Sequence, residues 1–164
     1  MTHQFFLDGR LHNTLTFPEY VDQMRSDSEI TDLSNLSDKE IEYLPTVKLN
    51  YQRLSRILRT YKIDEDLLGL IKKISSPQAW MVISEAWCGD SAQNLPYIAK
   101  IAECNSLINF RIILRDSNLD IMDLYLADGK SRSIPKLVAF NEDGNELFQW
   151  GARPKEAQEL VTQE

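Results

Sequence analysis

The sequence predicts an α/β fold in which a helical stretch leads into a mixed central sheet, and three observations carry that prediction. The texture changes near Ser75-Ser76-Pro77, helical before it and alternating between strand and helix after it. Two short apolar runs, Ala79 to Ser84 and Ile108 to Leu114, are separated by a helical stretch, which favours a parallel pair. Two further strands flank Asn141-Glu142-Asp143-Gly144-Asn145, a good hairpin turn with a glycine available for positive φ. From residue 77 the order reads β-α-β-α-β-β-α. The expected organisation is a helical N-terminal extension, 1–76, packed on an α/β domain, 77–164.

The elements follow in order. Thr16 is placed to cap a short helix with Pro18 in its first turn. Ser37 followed by Glu40 fits a capping box, and Pro45 is expected to break or kink that helix. Val47, Tyr51, Leu54, Leu58 and Tyr61 recur at helical spacing and read as a core stripe. Asp64 is a cap for a helix carrying Leu67, Leu68, Ile71 and Ile74. After the first strand, residues from about Ser91 to Glu103 share a helical face through Leu95, Ile98, Ile101 and Ala102, with a possible kink at Pro96. Leu119 to Ala127 can form a helix, Lys136 to Phe140 and Glu146 to Trp150 are the hairpin strands, and Pro154 to Val161 closes the chain as a helix. There is no internal repeat and no low-complexity tract.

Composition narrows the function. The chain has 164 residues, 43% hydrophobic and 26% charged, ordinary for a globular protein able to bury a core without disulfide staples. A formal charge of −7 argues against nucleic acid or anionic lipid as the main partner, because both reward clustered Lys and Arg. No apolar run approaches the roughly 20 residues of a membrane span, and the N-terminus reads as no secretory signal. A cytoplasmic, reducing setting is the default expectation. No disulfide framework is possible with two cysteines, Cys88 and Cys104. His3 and His12 show no metal-ligand spacing and read as solvated; no metal and no cofactor is expected.

The chemistry concentrates at Trp87-Cys88-Gly89-Asp90-Ser91. Cys88 follows a buried strand and directly precedes a helix, whose first N–H groups lack partners and carry partial positive charge, so a thiolate there is stabilised. Gly89 permits the close turn. The Ser91 hydroxyl can swing toward the Cys88 sulfur, and Trp87 can shield one side. Asp90 suits the helix dipole but repels a thiolate. Arg153 and Lys155 read as a solvated helix start. Cys104 follows by 16 residues, at the far end of the same helix, roughly 20 Å or more away at the helical rise. A disulfide needs Cα atoms within about 7 Å, so Cys104 reads as a small buried apolar residue.

Trp87 to Ser91 resembles the Trp-Cys-Gly-Pro-Cys site of thioredoxins. Three further segments agree in order and spacing. Arg132 to Phe140, with Ile134-Pro135, resembles the segment around the thioredoxin cis-proline. Trp150-Gly151-Ala152 resembles the turn before the last helix, and Asp116 sits where an acid often follows the second strand. The resemblance covers about residues 78–163. The helical N-terminus combined with these motifs is similar to a bacterial subgroup of thioredoxin-family proteins. It implies a thioredoxin-like fold with Cys88 as the exposed attacking cysteine, Pro135 after a cis bond, and the Ile134 backbone as a pairing site for a substrate chain; Trp87, Gly89, Asp90, Ile134 and Pro135 become substrate-binding residues.

Against that pattern the chain departs three times. The resolving cysteine is Ser91, the motif proline is Asp90, and the buried acid six residues before the cysteine is Val82, with Glu85 the nearest acid in sequence. Serine cannot attack a mixed disulfide, so the usual dithiol cycle is excluded. The expected function is monothiol thiol-disulfide exchange, with protein or glutathione disulfides as partners through a mixed disulfide with Cys88 and with Ser91 as helper. A redox-silent groove for a peptide or partner protein is the alternative, and a thiol sensor a third reading. The N-terminal helices are expected to cover the sheet edge left by a missing first strand.

Overall fold

Three side-chain caps start the long helices of the first half. The architecture comes from a computed structural model, which describes residues 2–161. Thr16 and Glu19 form a reciprocal capping box that opens α2, Phe17–Ser28. Ser37 and Glu40 repeat it at the start of α3, Asp38–Thr60. Asp64 accepts the Leu67 N–H at 2.8 Å and opens α4, Glu65–Lys72. Each device places a side-chain oxygen on an N–H that has no partner inside the helix. Ahead of them lie α1, Gln4–Leu7, and a 3₁₀ turn, Leu11–Asn13.

Pro45 does not break α3, which runs through it for 23 residues. The carbonyl that loses its partner belongs to Ile41, which is itself exposed and open to water. The helix is held by burial of Leu44, Val47, Leu54 and Ile57 against its neighbours. Packing of that stripe offsets the roughly 3 kcal/mol that an interior proline costs.

The second half contains β1 (Gln78–Ser84), α5 (Gly89–Glu103), β2 (Ile108–Leu114), α6 (Leu119–Met122), β3 (Lys136–Asn141), β4 (Glu146–Gly151) and α7 (Lys155–Val161). The sheet order is β2-β1-β3-β4, with β1 parallel to β2 and antiparallel to β3, and β4 antiparallel to β3. The fold is α/β with a mixed sheet, as the alternation of runs predicts. The expected Leu119–Ala127 helix is shorter. After Met122 the backbone bonds tighten to three-residue turns, and Asp128 and Gly129 take positive φ in a turn closed by the Ala127–Ser131 bridge. A helix cannot continue through that turn, which turns the chain back toward β3.

Period-two alternation in β1 separates two cores. Trp80 and Val82 face a cluster with Phe17, Tyr20, Met24, Leu54 and Leu95. Ala79, Met81 and Ile83 face the other side, with Phe5, Leu11, Ile121, Met122 and Phe140. The outer edge of β2 is met by an extended residue: Leu15 and Ile112 exchange both backbone bonds, at 3.2 and 2.8 Å. The edge is thus capped by strand-like pairing, where helices were expected to cover it. His3 and His12 are also less free than expected. His3 contacts Glu146 at 3.1 Å and stacks on Phe5, and His12 pairs with Asn109.

No helix among the described residues is long and apolar enough to cross a membrane. Among the same residues no group of three or more His, Cys, Asp or Glu side chains stands ready to hold a metal ion.

Candidate functional site

The loop Glu85–Cys88 carries the chain from the end of β1 into α5, and Cys88 is the N-cap of that helix. Its sulfur does what a capping oxygen usually does: the Ser91 backbone N–H donates to Sγ at 3.4 Å. The thiol in turn donates to the Ile134 carbonyl, also at 3.4 Å. The sulfur therefore bridges two segments 46 residues apart, a helix start and the turn before β3. The Ile134–Pro135 peptide bond is cis, and so is Gly151–Ala152. Gly151 sits at φ +139°, and a Cβ there would overlap the Pro135 carbonyl oxygen, so only glycine allows β4 to approach this turn so closely.

Two sequence expectations about the sulfur change. Cys88 is not an exposed cysteine: only 9% of it is accessible. The Ser91 hydroxyl does not reach it either. Ser91 is 1% exposed, and Oγ has no hydrogen-bond partner among the described residues; its backbone N–H makes the contact to sulfur instead. Cys104 is half-buried rather than buried, capping the far end of α5, with its thiol on the Lys100 carbonyl at 3.2 Å.

Cys88 lies on the wall of an open groove of about 560 Å³ between the α5 start, the turn before β3 and the turn before α7. Trp87, Asp90 and Ile134 line the same groove; Gly89, Ser91 and Pro135 are not among its lining residues. Asp90 does not stand as a lone negative charge beside the sulfur. Its Oδ2 accepts from Arg153 Nε at 2.8 Å, so Arg153 is an ion-pair partner from 63 residues away and not a solvated helix-start residue. Four basic residues line this groove, Arg115, Arg132, Lys136 and Arg153, against the acids Asp90 and Asp128. Nothing in the local sequence around Cys88 signals them, because they come from distant turns.

Trp87 is held from two sides of the sequence. Tyr43 of α3 stacks on its ring at 5.5 Å between centroids and 21° between planes, and the Arg115 guanidinium lies 4.8 Å from its centre. Trp87 is also a wall of a second, smaller cavity of about 230 Å³ between α2 and α3. Gly89 takes an ordinary helical start; its missing side chain makes room for Arg53, whose Nη1 is 3.4 Å from where a Cβ would stand. Asn50 of α3, with no exposed surface, donates Nδ2 to the Ala86 carbonyl at 3.0 Å. The position of the thioredoxin buried acid is filled by Val82, fully buried. Glu85 points elsewhere: its carboxylate accepts the Asp116 N–H at 2.8 Å. Burial pushes the Glu85 carboxyl above its usual range, and the charge of Asp116 adds to that.

Comparison with known proteins places the chain. Its fold is similar to a protein of unknown function from Pseudomonas aeruginosa, with a TM-score of 0.66 and 16% identity, covering 93% of this chain and 80% of the other. It is also similar to an HIV epitope-scaffold protein, with a TM-score of 0.63 and 17% identity over 90% and 78% of the two chains. No curated protein matches the sequence. The thioredoxin family model matches residues 37–164, from the capping box of α3 onward. With its mixed sheet, its Trp-Cys-Gly segment at a helix start and that match, this chain belongs to the thioredoxin family.

Proposed function

We propose that the protein is a monothiol oxidoreductase of the thioredoxin family, with Cys88 as its nucleophile. The observation that carries this reading is the placement of the Cys88 sulfur at the cap of α5, between the Ser91 N–H and the Ile134 carbonyl, on the wall of an open groove. The thiolate is the attacking form, and the Ser91 N–H is a donor already aimed at the sulfur. Deprotonation removes the bond to Ile134 and leaves the carbonyl free to pair with an incoming chain. The thiolate then attacks one sulfur of a disulfide. The new bond joins Cys88 to that sulfur, the old S–S bond breaks, and its second half leaves as a thiolate. Ser91 offers no second sulfur, so an external thiolate attacks the mixed disulfide, takes the bound half as a new disulfide and restores the Cys88 thiolate. Arg115, Arg132 and Arg153 are already paired with Asp116, Asp123 and Asp90, which leaves Lys136 as the groove cation without an ion pair among the described residues, placed to meet a carboxylate flanking a disulfide such as glutathione's.

Turnover of a glutathionylated peptide with excess glutathione tests the reading. Cys88→Ala should abolish it, and Ser91→Cys should add a reductase activity that cycles without an external thiol in its first turnover. Activity that survives Cys88→Ala would eliminate the proposal. The near-burial of Cys88 favours a second reading, a groove that holds a partner without covalent chemistry. Partner capture unchanged by Cys88→Ser supports that alternative; capture released only by a reductant counts against it.

A further inference from the structure

We infer that Asn50 and Arg53, on α3, are positioning residues for the Cys88 loop. This rests on the monothiol reading for its functional meaning but is carried by a different set of contacts.

Asn50 lies on the buried face of α3, among Leu44, Val47, Leu54 and Ile57, and has no exposed surface. An amide there costs stability unless both ends are bonded, and an apolar residue would fill the space without that cost. Both ends are bonded, and to functional neighbours. Nδ2 donates to the carbonyl of Ala86, two residues before Cys88, at 3.0 Å. Oδ1 accepts from Arg53 Nη1 at 3.2 Å. The same Arg53 nitrogen lies against Gly89, the residue after Cys88 and the first of α5. The buried amide thus holds the backbone two residues before Cys88, and the guanidinium it orients packs on the residue just after. Tyr43, seven residues before Asn50 on the same helix, completes the grip by stacking on Trp87.

The charge of Arg53 points the same way. A cation at a helix start opposes the helix dipole, so stability alone favours an acid there. Arg53 is half-buried and makes no ion pair among the described residues. Its charge adds to the positive potential at the start of α5, where the Cys88 sulfur is the cap. The arrangement works against the helix, so the stability of α5 alone does not account for a cation at this position.

The test measures two rates in the full chain. Iodoacetamide labelling of Cys88 and Cys104 is followed by peptide mass spectrometry, and exchange is followed with a glutathionylated peptide. Asn50→Asp keeps an acceptor for Arg53 but cannot donate to Ala86, and Asn50→Ala loses both bonds. In each, Cys88 labelling should rise about tenfold as the loop loosens, with Cys104 unchanged, while exchange falls about tenfold. Arg53→Met should act in the same direction and Arg53→Lys should restore part of the loss; these half-buried substitutions decide the matter where an Asn50 variant fails to fold. Folded variants with both rates within about twofold of the parent would overturn the inference, as would equal acceleration at Cys104, which marks global opening. If the parent protein shows no exchange at all, the monothiol reading fails, and the labelling rates alone still decide whether these residues hold the loop.

Discussion

At the scale of single residues, the site is built from contacts that span long stretches of chain. The sequence singles out Cys88 and the Ile134-Pro135 pair because their motifs are contiguous, and the fold brings the Cys88 sulfur onto the Ile134 carbonyl, while the expected Ser91 hydroxyl contact is not made. The sequence does not show that Asp90 is paired with Arg153, that Asn50 holds the Ala86 carbonyl, or that Tyr43 supports Trp87. Those partners lie 63, 36 and 44 residues apart, and no periodicity links such distances. Glu85 offers a residue-scale prediction. Its folded-state carboxyl is pushed up chiefly by burial. A group raised above its unfolded value stabilises the fold fully only below that unfolded value, about 4.3, and the contribution is lost as pH rises through the folded value. At neutral pH the charged form therefore works against folding. Glu85→Gln keeps an acceptor for the Asp116 N–H, so thermal melting at pH 7 should rise by about 1–2 °C, and the gain should vanish below about pH 4. A gain that persists in acid would mean that burial of charge is not its source.

At the scale of elements, legibility follows how local the signal is. The boundaries of α2, α3 and α4 are set by Thr16, Ser37 and Asp64, each acting on an N–H three residues away, and all three are visible in sequence. β1 and β2 are likewise visible as apolar runs. The failures are where tertiary context overrides local preference: α3 passes through Pro45 because its buried stripe outweighs one lost bond, and α6 stops at Met122 because the chain must turn at Asp128-Gly129. The capping box of α3 lends itself to measurement. Ser37→Ala should lower stability by about 1 kcal/mol in urea unfolding, with the slope against denaturant unchanged. Because α3 carries Asn50 and Tyr43, fraying of its first turns should also be felt at Trp87, as a shift in fluorescence before the main transition.

At the scale of the whole molecule, the sheet is sandwiched by the chain's own first third. Phe17, Tyr20 and Met24 cover one face, and Phe5 and Leu11 cover the other, all five nearly inaccessible. Burying five such side chains contributes on the order of 10 kcal/mol, comparable with the whole stability of a domain this size. Removal of residues 2–36 should therefore abolish cooperative unfolding, read by circular dichroism, although the thioredoxin family match begins only at residue 37. A truncated chain that melts with an unchanged midpoint would show that these segments are ornaments on an independent core.

Ser91 has a consequence of a different kind. A two-cysteine site expels its captive within its own geometry, on a timescale the protein sets. Here the position three residues after Cys88 holds a buried hydroxyl, and the other cysteine sits at the opposite end of α5. Any covalent adduct on Cys88 would persist for as long as it takes a thiol to arrive from outside. The lifetime of the complex becomes a gauge of the surrounding thiol pool, and the unmutated protein would serve as its own trap for isolating partners.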